Sequence, residues 1–497
     1  VSDKRFPVRQ QHWWRARWVR PASAATLVVV AAIVVAGYVI RDNGRCADHI
    51  ARTGDGECVG VSDGGFRFTF DDDEDTPGLD EVQQLIAKAN ADVGDAPWRG
   101  IAYVMPMPWN GQRVLGASDV VHQLYGAYAA QAQANDADNG QGTPKIKLFV
   151  ANVGHAGASW ETVATDLLER RDQDRITAVA GIGASLETTK RFAGRLSAAG
   201  LPMVGSTITA DDLNGKQFPH LYRVGPNNLD EVKVLLAYMA EQRTSPAAPY
   251  LAVADDPEDA YVRQLETAFQ TVVASGATVR PFTPNTLGWT EAVDSIAREV
   301  CRRPGKVTVY FAARSAEVRT FLIKVAAACT EKDKITVLTG DDATDLIDST
   351  DQALLDALKD QEFALFMTGL AHPDEWGAEP TTGLTQLQRW ITERTGGIDY
   401  RDGSAMMAFD AVSVTVRAIR SLAADAGDRS MNTMINGFNQ ITEGDVHCGA
   451  SGPIAFHTEA DSRGDTVNKA IPIITLAADA SATFKQRRYP DGTGGSC

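Results

Sequence analysis

ITAVAGIGASLETTKRFAGRLSAAGLPMVGSTITADDLNGKQFPHLYR, residues Ile176–Arg223, holds two short apolar strands that each run straight into a small polar loop rich in Gly, Ser and Thr. Each loop ends a strand and opens toward a helix or turn. Its hydroxyls and unbonded backbone N–H groups therefore converge at the carboxyl edge of a sheet, where open α/β folds bind ligands. The stretch reads as one wall of a binding crevice.

Outward from it, short apolar runs of the buried-strand type recur: 101–105, 145–152, 250–255, 307–313, 335–340 and 363–369. Helical spacing lies between them, at Phe192, Leu196 and Ala199, at Leu265, Phe269 and Val272, and at Val318, Leu322, Val325 and Cys329. Strands alternating with helices predict parallel sheets covered on both faces, and there are too many strands for one sheet. The fold expected is α/β. Before it, residues 41–97 read as a membrane-proximal segment with a short strand at Phe66–Phe70, an acidic run and a helix from about Asp80.

The order GIGAS at 181–185, LPMVGSTIT at 201–209 and FPHLYRVGP at 218–226 resembles the type 1 periplasmic solute-binding proteins of the branched-chain amino acid type. VADDPEDAYVRQL from Val253, VTVYFAARSAEV from Val307, ITVLTGDD from Ile335, MAFDAVSVTVRAI from Met407 and GASGPIAFHTEADSRGD from Gly449 follow in the family's order. The last differs in His457, where the family carries Asp. The resemblance spans roughly 98–485 and implies two doubly wound lobes joined by a hinge. Lobe I would comprise 98–228 with 370–450, and lobe II 229–369 with 451–497.

The resemblance also implies a site. First-lobe hydroxyls and N–H groups would hold a ligand carboxylate, here Ser185, Ser206, Thr207 and Thr209, although Ser185 and Thr209 equally suit helix capping. An acidic residue after a second-lobe strand would hold the ligand's ammonium. Asp342 is the first choice and Asp341 the next, with an N-cap as the alternative. Arg314 sits where the family places cleft residues and implies an acidic ligand or an internal partner for the aspartates. Tyr261 is followed by Val262 where Tyr-Gly is common, and Trp109 is a candidate pocket wall or core aromatic.

Ala22–Ile40 is uncharged and long enough to cross a bilayer as a helix. Residues 1–21 carry the basic cluster: the first twenty hold six Lys/Arg against Asp3, a net +5 that leaves −21 on the rest of a chain of net charge −16. With Trp13, Trp14 and Trp18 at the interface, the expectation is a single-pass membrane protein with its amino terminus cytoplasmic and its bulk extracellular; a cleaved signal peptide is the alternative. The acidic bulk argues against nucleic acid as a partner.

The six cysteines all follow that span, which fits an oxidising compartment. The pairing expected is Cys46 with Cys58, Cys301 with Cys329 and Cys448 with Cys497, free thiols being the alternative. No phosphate loop, G-x-S-x-G elbow or H-E-x-x-H occurs, and the run from Asp71 to Asp75 reads as a solvated acidic turn rather than a metal site. No cofactor is expected, and no enzyme. The reading is a solute-binding protein that closes two lobes over a small polar, amino acid-like ligand, serving an ABC permease or a membrane sensor complex. The alternatives are a sensor or scaffold binding a protein partner, and a secreted α/β hydrolase.

Overall fold

The structure, a computed structural model, describes residues 44–71, 78–111, 114–136, 143–242, 249–272, 276–331, 334–360, 363–424, 431–495 and 497. The expected cytoplasmic segment and membrane span, 1–21 and 22–40, lie outside the described residues, as does most of the acidic run. Among the described residues no helix is long and apolar enough to cross a membrane.

The chain divides into two compact units, Val1–Cys58 and Val59–Cys497. In the first, β1 (Arg45–Ala47) and β2 (Ile50–Arg52) pair antiparallel around a turn in which His49 adopts φ 61°. The Cys46–Cys58 disulfide closes this unit.

The second unit holds two lobes. Lobe I is built on β3 (Cys58–Ser62), β4 (Trp98–Met105), β5 (Lys145–Asn152), β6 (Ile176–Gly181), β7 (Met203–Gly205) and β8 (Leu221–Arg223). In that unit they lie in the order β3-β5-β4-β6-β7-β8, parallel except for β3 against β5. Helices α1 (Leu79–Asp92), α2 (Ala117–Asn135), α3 (Trp160–Arg170) and α4 (Glu187–Ala198) connect or cover these strands. Phe192 and Leu196 of α4 are buried as their spacing predicts, whereas Ala199, just past the helix end, is exposed.

Lobe II follows with α5 (Asn228–Glu241), β9 (Tyr250–Ala254), α6 (Ala260–Val272), β10 (Thr278–Phe282), α7 (Trp289–Arg302), β11 (Val307–Ala312), α8 (Ser315–Ala328), β12 (Ile335–Thr339), α9 (Gln352–Asp360) and β13 (Phe363–Thr368). The sheet runs β10-β9-β11-β12-β13, all parallel. Leu265, Phe269, Val318, Leu322, Val325 and Cys329 are in its core, and Val272 is exposed. The Cys301–Cys329 disulfide ties α7 to the end of α8.

The chain then returns to lobe I with α10 (Thr382–Thr395), α11 (Ser404–Ala424), α12 (Met431–Asn439) and the hairpin of β14 (His447–Gly449) and β15 (Gly452–Ile454). Helices α11 and α2 cross closely enough that a Cβ on Gly126 would overlap the Ala405 carbonyl. Last, β16 (Ile471–Leu476) and β17 (Ala482–Arg488) extend the lobe II sheet antiparallel beyond β13. The backbone thus passes between the two sheets three times.

Three details differ from the sequence reading. Residues 59–97 belong to lobe I rather than standing apart, because β3 and α1 pack on β5 and α2. Phe66–Phe70 is not a strand: Phe68 gives its N–H to Gln83 Oε1 at 2.8 Å and accepts from Gln83 Nε2 at 2.9 Å, so a helix side chain stands in for a neighbouring strand. The passage back to lobe II comes near Lys469 rather than at 451, because Asp465 pairs with buried Arg223 at 2.8 Å and Gly215 donates to the Arg463 carbonyl. Two motifs of the resemblance, YRVGP and RGD, meet in that ion pair.

Candidate functional site

The carboxyl ends of β6, β11 and β12 and the amino ends of α2 and α11 converge on one cleft between the lobes. It encloses about 500 Å³ when the solvent at its open mouth is included. Lobe I lines it with Asp119, Gln123, Ala184, Ser185, Thr207, Asp402 and Ser404, and lobe II with Tyr261, Arg314, Asp341, Asp342 and Thr344.

Arg314 dominates the lobe II wall. Its Nε and Nη2 donate to the two oxygens of Asp259 at 2.7 and 3.0 Å, and its Nη1 donates to Asp342 at 2.6 Å. Its guanidinium lies 4.5 Å from the centre of the Tyr261 ring, and Nη2 reaches the Ser185 carbonyl of lobe I at 3.4 Å. Burial opposes its charge, but Asp259 and Asp342 overcome that and hold the guanidinium pKa well above its usual value. Asp342 also accepts the Ser315 N–H at 2.7 Å, so it caps the neighbouring helix α8. Its own 3-10 turn, Asp341–Leu346, begins at Gly340 without a side-chain cap.

Asp341 has the opposite balance. Burial and then the charge of Asp342 push its pKa up to about 7, with Arg314 and the Tyr261 hydroxyl opposing. Its Oδ1 is buried without a hydrogen-bond partner among the described residues. Behind it, buried Glu231 accepts from Thr368 Oγ1 at 2.5 Å, and burial and Asp341 raise its pKa well above the carboxylate range.

Three of the four lobe I hydroxyls expected in the site are engaged with their own lobe. Ser185 Oγ accepts from the N–H groups of Thr209 and Ala210 at 3.0 and 3.2 Å, capping that turn rather than α4. Thr207 Oγ1 donates to the Gly183 carbonyl at 2.6 Å. Ser206 is wholly buried, bonded to Tyr103, Gln123 and the Gly181 carbonyl, and does not line the cleft. Thr209 is buried behind it, its hydroxyl without a partner among the described residues. Trp109 is half-buried and does not line the cleft.

Of the residues expected in the site, the structure therefore gathers Ser185, Thr207, Tyr261, Arg314, Asp341 and Asp342. Sequence reasoning missed Asp119, Gln123, Asp402 and Ser404. The signal was present in ASDVVHQLYGAY, a stretch that places Asp119 and Gln123 one turn apart on one face of a helix, and in DGS before α11. His122 Nδ1 meets Asp402 at 2.5 Å; burial works against the imidazolium, but Asp402 prevails and the pKa is raised.

Main-chain bonds join the lobes beside the cleft. Tyr261 N–H donates to the Ser185 carbonyl and Glu187 N–H to the Glu258 carbonyl, both at 3.0 Å. Cys448 and Cys497, expected as a pair, are both thiols. The Cys497 thiol is hydrogen-bonded to Cys448, so the two sulfurs approach without a covalent bond.

No protein-family model matches the chain, and no curated protein does. Solved structures do. An ABC transporter substrate-binding protein from Desulfitobacterium hafniense, in complex with Leu, superposes with a TM-score of 0.57 at 18% identity, over 79% of this chain and 100% of that one. A leucine-binding protein from Thermotoga maritima gives 0.59 at 16%, over 79% and 99%. A solute-binding protein from R. palustris in complex with 4-hydroxybenzoate gives 0.58 at 12%, over 78% and 96%.

Proposed function

We propose that this chain, which has the fold of the type 1 periplasmic solute-binding proteins, is an extracytoplasmic solute-binding protein that closes its two lobes over a small polar, amino acid-like ligand. The observation that carries the reading is the cleft itself: both lobes line it, with polar and charged side chains at strand ends. A ligand seated there touches both lobes, so it favours the closed arrangement by the contacts that only that arrangement offers. The neighbouring structures in complex with Leu and with 4-hydroxybenzoate support a small-molecule ligand. No covalent chemistry is part of the reading, and Ser185 and Thr207 bond to main chain rather than to a base.

The basic amino-terminal cluster and the apolar stretch 22–40 support attachment to the cell membrane by a single helix, amino terminus in the cytoplasm. An ABC permease or a membrane sensor complex is then the natural partner. Thermal unfolding against amino acids, small peptides, dicarboxylates and nucleosides tests the function. A ligand at 100 times its dissociation constant adds about 2.7 kcal/mol, a shift of several degrees. No shift from any class, with no change in radius of gyration by small-angle scattering, would refute it.

A further inference from the structure

The cleft is unbalanced in charge. Arg314 is already matched by Asp259 and Asp342, and His122 by Asp402. Among the described residues, Arg314 is the only Lys or Arg that lines the cleft, which leaves Asp119 of lobe I and Asp341 of lobe II without a cation there. Among the described residues, Asp119 is bonded to two neutral donors, the Gly116 N–H at 3.2 Å and the Ser404 hydroxyl at 3.3 Å. It also stands against the other lobe: a Cβ on Gly116 would overlap the Asp345 carboxylate and lie 3.4 Å from an Asp119 oxygen.

Two buried polar atoms on cleft-lining residues have no partner among the described residues. One is an acceptor, Asp341 Oδ1, on a side chain in a residue 8% exposed. The other is a donor, Nε2 of Gln123, a residue with no exposure, whose Oε1 is taken by Tyr103 and Ser206. An unmet acceptor and an unmet donor ask for a ligand that brings both a donor and an acceptor, since buried polar groups in folded proteins are otherwise paired. Asp119 then asks for a second positive charge.

Resting on the solute-binding reading, we propose that the ligand is a basic amino acid: one ammonium at Asp341, the acceptor oxygen at the Gln123 amide, and the side-chain cation at Asp119. The electrostatics around the two carboxyls accord with this. Asp119 is raised by burial and then by Asp345 and Asp402, with Asp342 also facing it. Asp341 faces Asp342, Arg314, Tyr261 and Glu231. Asp341, pushed up to about 7, gives up its proton to receive an ammonium, so affinity rises with pH through neutrality.

The test is calorimetric titration of the full chain with lysine, ornithine, leucine and glutamate at pH 6.5 and 8. Lysine or ornithine is expected to bind about tenfold or more tighter than leucine, and tighter at pH 8. Asp119→Asn should weaken that binding about tenfold or more and leave leucine unchanged, a charged hydrogen bond having been lost. If that variant does not fold, Asp341→Asn reads the same loss. Leucine or glutamate binding as tightly as lysine overturns the proposal but upholds solute binding. No binding of any of the four overturns it, and only silence across the wider thermal panel overturns solute binding as well.

Discussion

Replacing Arg314 by Ala removes the one guanidinium that joins Asp259, Asp342 and the Ser185 carbonyl. The side chains of Arg314, Asp259 and Asp342 are 16%, 9% and 12% exposed, so solvent screens the pairs little. Breaking a buried pair from one side costs about 3–5 kcal/mol, mostly because the remaining charge is stranded. Here two carboxylates are stranded, but each keeps a backbone donor, Val262 N–H for Asp259 and Ser315 N–H for Asp342. The expected loss is therefore at the lower end, about 3 kcal/mol. Arg314→Lys keeps the charge and loses the two-pronged contact to Asp259, so it should cost about half as much. Urea unfolding at pH 7.5, with the slope unchanged and the midpoint lowered, reads both. A loss below about 1 kcal/mol for the alanine variant would mean a surface-like pair and refute the reasoning. A lysine variant as damaged as the alanine one would refute the geometric part.

Two further predictions concern the core of the site and its support. The carboxyl of Asp341 titrates near 7 in the folded chain against 3.8 for an ordinary Asp, so the native state holds its proton where the unfolded state has lost it. Stability should fall as pH rises between about 4 and 7, and Asp341→Asn should flatten that fall and be the more stable form at pH 8, as urea midpoints at four pH values will show; a wild-type midpoint that rises across this window, or no change in slope in the variant, sinks the assignment. Gly126→Ala places a methyl on the Ala405 carbonyl where α2 crosses α11, and the forced separation of the helices should cost about 3 kcal/mol. Wild-type stability in the same urea experiment would show that the crossing yields freely.

Much of this architecture is legible in the sequence because it is periodic. The buried runs at 145–152, 176–181 and 335–339 carry no charge on their core positions, and their alternation with helical stripes permits little besides two parallel sheets. Where long-range contacts replace periodicity, legibility ends. Phe66–Phe70 alternates like a strand, but a glutamine on α1 takes its backbone bonds, and no local pattern announces that. The site divides the same way. Asp341, Asp342 and Arg314 stand at strand ends and are visible as such, whereas Asp119 and Asp402 come from helix starts 283 residues apart that only the packing of α2 on α11 unites. Ser206 and Thr209 show the converse. Their loop was recognisable, but which hydroxyls face the cleft depends on a turn that buries two of them.

The two main-chain bonds between the lobes, from Tyr261 to Ser185 and from Glu187 to Glu258, draw on groups that every residue except proline possesses as donors. Side chains at 185, 187, 258 and 261 can therefore be exchanged without erasing the clasp, provided neither 187 nor 261 becomes proline. The hold of one lobe on the other is thereby independent of which side chains stand at those positions. Under the solute-binding proposal, the cleft's side chains can be exchanged for others while these two bonds between the lobes are kept.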